Sequence, residues 1–92
     1  MIVRILTEGQ YNLSDAHIDE LNEIDNQIVE IVEREDVDQF GPMLKKMLDL
    51  VREKGTPVPV DELVESDLVL PEPDISIAEA AERFVGEGLL PG

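Results

Sequence analysis

His17 is the single histidine of this 92-residue chain, and it stands among Asp15, Asp19 and Glu20. On a helix, His17 and Glu20 would project to one side and offer two ligands to a metal ion. A metal centre needs three or four convergent ligands, and no second motif of suitable spacing exists elsewhere in the sequence. His17 therefore reads as a solvated side chain on an acidic helix face. Ser14, Ser66 and Ser76 are the hydroxyls to consider as nucleophiles, but each fits a cap or a turn. Neither a nucleophile elbow nor a glycine-rich phosphate loop accompanies them. With 22 Asp and Glu in the chain, carboxylate pairs suited to general acid–base work are so common that finding one carries no information. The absence of Cys excludes disulfides, thiolate metal sites and thiol catalysis. The residues give enzyme function no positive support and imply no cofactor and no metal.

Charge is the more informative chemistry. Only 7 Lys and Arg oppose the acids, for a net charge of -15, which disfavours direct binding to nucleic acid or to a bare anionic membrane. The excess is uneven. Residues 8 to 36 carry ten acids against Arg34, and residues 57 to 92 carry nine against Arg83. Between these wings Lys45, Lys46, Arg52 and Lys54 stand against three acids. One reading places Arg52 and Lys54 at the negative end of a helix dipole, with Lys45 paired to Asp49. The other is a basic docking patch on an acidic body. The acid excess itself reads either as a surface suited to high salt or as a mimic of nucleic acid aimed at a basic-grooved protein.

The elements that would carry these residues are marked by periodicity and punctuation. Ile2-Val3-Arg4-Ile5-Leu6 reads as a buried strand ending at a Glu8-Gly9 turn, with Gln10-Tyr11-Asn12-Leu13 as a short return strand. Ser14 is a helix cap, and Leu13 is placed to staple against Ile18. The apolar spacing of Ile18, Leu21, Ile24, Ile28, Ile31 and Val32 predicts a helix over 15–34. A second helix carries Phe40, Met43, Leu44, Met47, Leu48 and Val51 and stops at Gly55-Thr56-Pro57. Because Gly41-Pro42 interrupts its start, regular helix is expected only from Pro42. Met43 and Met47 read as core, with an adaptable apolar groove as the other reading.

A short connection makes the two helices antiparallel. Residues 56 to 60 must be extended, Asp61 to Glu65 suggests one helical turn, and Leu68-Val69-Leu70 is a further strand candidate. Ser76 and Glu79 form a capping box opening a helix over 77–85, and Leu89-Leu90 sits in an apolar tail that either packs on the sheet or meets a partner. The sum is one α+β domain over 1–92: a two- or three-stranded sheet, an antiparallel helical hairpin and a short C-terminal helix. The first residues show no charged leader and no run of about 20 apolar residues occurs, so a cytosolic protein is expected.

Several segments, taken in order, resemble the PspA-associated protein family, PspAA. They are Met1-Ile2-Val3-Arg4-Ile5-Leu6 with Glu8-Gly9-Gln10-Tyr11, Leu21-Asn22-Glu23-Ile24-Asp25-Asn26, Leu50-Val51-Arg52 with Gly55-Thr56-Pro57, Asp61-Glu62-Leu63 with Ser66-Asp67-Leu68-Val69-Leu70-Pro71, and Gly86-Glu87-Gly88-Leu89-Leu90-Pro91-Gly92. Gly41-Pro42 and the high acid content depart from the pattern; the acidity points to a salt-loving source. The resemblance implies a non-enzymatic accessory protein of the phage-shock envelope-stress response. Its partner would be PspA, a coiled-coil membrane-remodelling protein, whose assembly or membrane attachment it would modulate. Contact with the membrane would then be indirect, at the inner face of the cell membrane, and self-association is compatible with the pattern. The residues expected to meet the partner are Lys45, Lys46, Arg52 and Lys54, with Tyr11, Leu89 and Leu90 as apolar anchors.

Overall fold

A computed structural model describes residues 1–62 and 64–83. The chain is α+β, with a four-stranded mixed sheet where the sequence suggests two or three strands. Strand β1 (Ile2–Ile5) pairs antiparallel with β2 (Gly9–Asn12), which pairs antiparallel with β3 (Thr56–Pro57). Strand β4 (Leu68–Leu70) lies parallel to β1 on its other side, giving the order β3-β2-β1-β4. The extra strand is only two residues long and contains Pro57, so it has no periodicity to read. It forms because Tyr11 and Asn12 present their free edge to Pro57 and Thr56.

Alternation along the strands sorts the two faces. Val3, Ile5, Leu68 and Leu70 are buried on the helix-facing side, and Tyr11 packs beside them. Arg4, flanked by Gln10 on β2 and Val69 on β4, lies on the opposite, outer face. Asp67 starts β4 by clipping Ile2, its N–H donating to the Ile2 carbonyl at 2.7 Å while its carboxylate accepts the Ile2 N–H at 2.8 Å.

After Leu13, Ser14 caps a 3-10 turn at Asp15–His17, its hydroxyl accepting the Ala16 N–H. Helix α1 (Ile18–Glu33) follows directly, burying Leu21, Ile24, Ile28, Val29, Ile31 and Val32. Its end is a Schellman arrangement. The Glu35 N–H donates to the Val32 carbonyl and the Asp36 N–H to the Ile31 carbonyl, both at 3.0 Å, with Glu35 at a left-handed φ of 54°. Asp36 then caps the next helix by accepting the Gln39 N–H.

Helix α2 (Val37–Lys54) runs through Gly41 and Pro42, which corrects the expectation that regular helix starts at Pro42. Pro42 removes only the hydrogen bond to the carbonyl of Asp38, a residue exposed to water. The Asp36 cap and the burial of Phe40 hold the first turn in place; a fully buried side chain of this size contributes roughly 1.5–3 kcal/mol. The helices lie antiparallel, with Leu44, Met47, Leu48 and Val51 of α2 fully or nearly fully buried. Met47 is core, and Met43 packs against the same cluster.

The single helical turn expected at Asp61–Glu65 is replaced, among the described residues there, by a turn in which the Glu62 N–H donates to the Pro59 carbonyl at 3.0 Å. Pro57 and Pro59 hold the residues before them in extended backbone, so the chain enters this segment from an extended run. Helix α3 (Ile77–Arg83) packs against α1 and buries Ala80, with Ile75 just ahead of it. Half of the expected capping box forms: the Ser76 hydroxyl oxygen accepts the Glu79 N–H at 3.2 Å, while the Glu79 carboxylate accepts from the Ser76 hydroxyl at 3.2 Å and not from its backbone N–H. The end of this helix at Gly86-Glu87-Gly88 and the tail Leu89-Leu90 lie outside the described residues.

Candidate functional site

The exposed side of α2 places Lys45, Lys46, Asp49, Glu53 and Lys54 on turns that the core stripe of the same helix keeps at the surface. Arg52, half-buried on the last turn, points toward the sheet. Its Nε donates to one Glu8 carboxylate oxygen at 3.0 Å and its Nη2 to the other, while its Nη1 donates to Asp49 at 3.0 Å. Asp49 also accepts from the Lys45 ammonium at 2.6 Å. Four charges thus form one chain, Glu8 to Arg52 to Asp49 to Lys45, which ties the β1–β2 turn to α2.

This network shifts its own titrations. The Arg52 hydrogen bonds hold the Glu8 carboxyl below its ordinary value, with the Arg52 charge adding to the effect against the opposing cost of burial. Asp49 is held down first by the hydrogen bond from Lys45 and then by Arg52. Arg52 is pushed above its already high value, chiefly by Glu8.

The bases expected to act together therefore divide into two pairs. Arg52 and Lys45 satisfy acids of the same chain, and the pairing of Lys45 with Asp49 is the one its four-residue spacing suggested. Among the described residues Lys46 and Lys54 make no ion pair. Both line a groove of about 390 Å³ between the helices, with Ile24 and Leu50 at its floor and Pro42 and Glu20 among its walls.

Tyr11, half-buried against the core, also reaches the Glu8 carboxylate that Arg52 holds, and it contributes to a separate recess of about 260 Å³ beside Pro57. Leu89 and Leu90 lie outside the described residues. His17 closes the 3-10 turn ahead of α1, and among the described residues no group of three or more His, Asp or Glu is placed to hold a metal ion. Ser14 and Ser76 are caps, and Ser66 accepts from the Gln10 amide at 2.8 Å.

Sequence reasoning missed Glu8 as the partner of Arg52, because nothing in local spacing links two residues this far apart. It also missed Asp25, which is 1% exposed on α1. Its neighbours Leu21, Ile24 and Ile28 mark the buried stripe, so its place on the helix was the available signal.

The fold and this surface define a small acidic α+β protein whose exposed helix face is organised by ion pairs. No helix among the described residues is long and apolar enough to cross a membrane. The chain belongs to the PspAA family, PspA-associated protein, whose family model matches residues 1–92. This is an accessory family and not a known enzyme family. No curated protein and no solved structure gives a significant match.

Proposed function

We propose that the chain is a non-enzymatic adaptor of the phage-shock envelope-stress response that binds PspA and modulates its assembly or membrane attachment. Membership of a PspA-associated family supports the choice of partner. The observation that carries the contact surface is the groove between α1 and α2, where Lys46 and Lys54 stand without an ion-pair partner among the described residues above the apolar side chains of Ile24 and Leu50.

A partner helix fits such a groove by burying apolar side chains at its floor and placing carboxylates opposite the two lysines. The charge pairs at the rim set register and speed of association more than final affinity. Lys45 lines the same groove with its charge held by Asp49, and Arg52 supports the surface from beside it by holding Asp49 and Glu8. The 92 residues act as one unit on the cytoplasmic side, meeting the membrane only through PspA.

Affinity capture of PspA from the same source by the tagged chain, at the working salt of that source, tests this reading. Retention of PspA is expected. Absence of retention, with both proteins shown to be folded, would remove the adaptor role.

A further inference from the structure

The helix pair covers one face of the sheet; the other face carries a different surface. Between β3 and β4 the chain crosses this outer face. The Val58 N–H donates to the Gln10 carbonyl at 2.9 Å, and the Gln10 side-chain amide, which shares the outer face with Arg4, donates to the Val64 carbonyl at 3.0 Å and to Ser66. The crossing leaves a recess on each side. One, of about 260 Å³, is lined by Arg4, Gln10, Tyr11, Pro57 and Val60; the other, of about 430 Å³, by Ile2, Asn12, Val58, Glu62 and Val64.

Aliphatic side chains are left in water on this face, Val60 in the first recess, Val64 in the second and Val69 beside Arg4 on β4. Val60 is 100% exposed, Val69 45% and Val64 36%, three of the four large exposed hydrophobics among the described residues. Such a grouping marks an interaction surface when it is contiguous and rimmed by polar groups. Here the rim is anionic. Asp61, Glu62 and Glu65 on the crossing segment are exposed, and Glu62 lines the second recess. Among the described residues Arg4 is the one base on this face.

We infer that the outer face of the sheet, with the described residues of the segment that crosses it, is a second docking surface, and that its occupant is a cationic, aliphatic segment of a partner protein. Charge decides the occupant. An anionic lipid surface would be repelled, and a second copy would bring another -15 against this one. Pro57 and Pro59 offer no N–H along the outermost strand, which disfavours strand addition there. Recognition instead comes from aliphatic side chains entering the two recesses while Lys or Arg meets the acids around them. This surface lies on the opposite side of the sheet from the helices, so it leaves the groove between α1 and α2 free and does not depend on what that groove binds.

The probe is a blocked peptide, acetyl-Lys-Leu-Lys-Val-Lys-Leu-Lys-amide, titrated into the isotopically labelled full chain at about 0.1 M salt and followed by amide chemical shifts. Shifts centred on Arg4, Val58, Val64 and Val69, with Lys46 and Lys54 unmoved, are expected. A control peptide with Ser in place of Leu and Val should bind about tenfold more weakly, and Val64→Ser with Val69→Ser should weaken the aliphatic peptide by about as much. Both valines are exposed, so the double variant keeps the fold, which its unchanged spectrum elsewhere would show. Equal binding of the two peptides would reduce the surface to diffuse charge and overturn the inference. So would shifts confined to the helix groove, or self-association by sedimentation that disappears in the double variant, since the occupant would then be a second copy.

Discussion

Arg52, in the last turn of α2, holds both carboxylate oxygens of Glu8, forty-four residues earlier on the turn between β1 and β2. This pairing joins the first hairpin to the helical layer and takes one cation away from the surface offered to partners. Because the pair is only partly shielded, its worth is modest. Arg52→Gln should lower unfolding free energy by about 1 kcal/mol at low ionic strength. The loss should shrink in about 1 M salt, where charges more than roughly 3 Å apart are screened. Urea unfolding at the two salt concentrations checks this, and equal stability of both proteins at low salt would show that the clamp contributes nothing.

The same clamp has a signature in pH. Glu8 and Asp49 have folded-state pKa values below their unfolded ones, so folding favours their ionised forms. Their contribution is complete above the unfolded values, roughly pH 4 to 4.5, and is lost as pH falls through the lower folded values. Acidification also relieves repulsion among the other acids, an effect of opposite sign that both proteins share. The stability gap between wild type and Arg52→Gln should therefore stay constant from about pH 7 to 5 and close below about pH 4. A gap that opens on acidification would contradict the assignment.

Glu35 occupies the left-handed position that ends α1, where a side chain costs energy that glycine avoids. Glu35→Gly should raise stability by about 1 kcal/mol, an increase in Tm of about 4–8 °C for a domain of this size. A fall in Tm would mean that the glutamate side chain makes a contribution larger than the strain.

These sites show what could be read from the sequence and what could not. The Ser76 cap on the Glu79 N–H, the apolar stripes of α1 and α2, and the Lys45 to Asp49 pair were legible because each depends on residues within four positions of one another. The Glu35 turn was not, because its left-handed position carries glutamate where glycine is the usual signal. The passage of α2 through Pro42 was misread, because the local cost of proline is outweighed by the Asp36 cap and the burial of Phe40, and only the second of these has a tertiary origin. Strand β3, the Asp67 clip on Ile2 and the Glu8 to Arg52 pair arise from long-range placement that spacing does not encode. The clustering of four bases on α2 and the Lys45 to Asp49 tie were legible, but the Arg52 to Glu8 tie, which leaves Lys46 and Lys54 as the bases of this cluster without an ion pair among the described residues, was not.

Gly55 is required for space and not for an unusual backbone. Its φ of -83° suits any residue, yet a Cβ there would come within 2.5 Å of the Val51 carbonyl oxygen and 3.0 Å of the Tyr11 Cβ. Gly55→Ala should lower stability by about 1–3 kcal/mol through this overpacking. If the site could relax, the smaller entropy of the unfolded chain would instead raise stability by about 0.4–1 kcal/mol, so the sign of the change in denaturation midpoint decides the matter.

The central claim, that the helix-pair groove meets PspA through Lys46 and Lys54, is tested most directly by association kinetics with purified PspA across a salt series. The paired substitution Lys46→Gln and Lys54→Gln should slow association about tenfold at low salt and flatten its salt dependence, with thermal stability unchanged. Lys45→Gln, whose ammonium is already held by Asp49, should have a smaller effect. Wild-type association rates and wild-type salt dependence in the paired variant would contradict the claim.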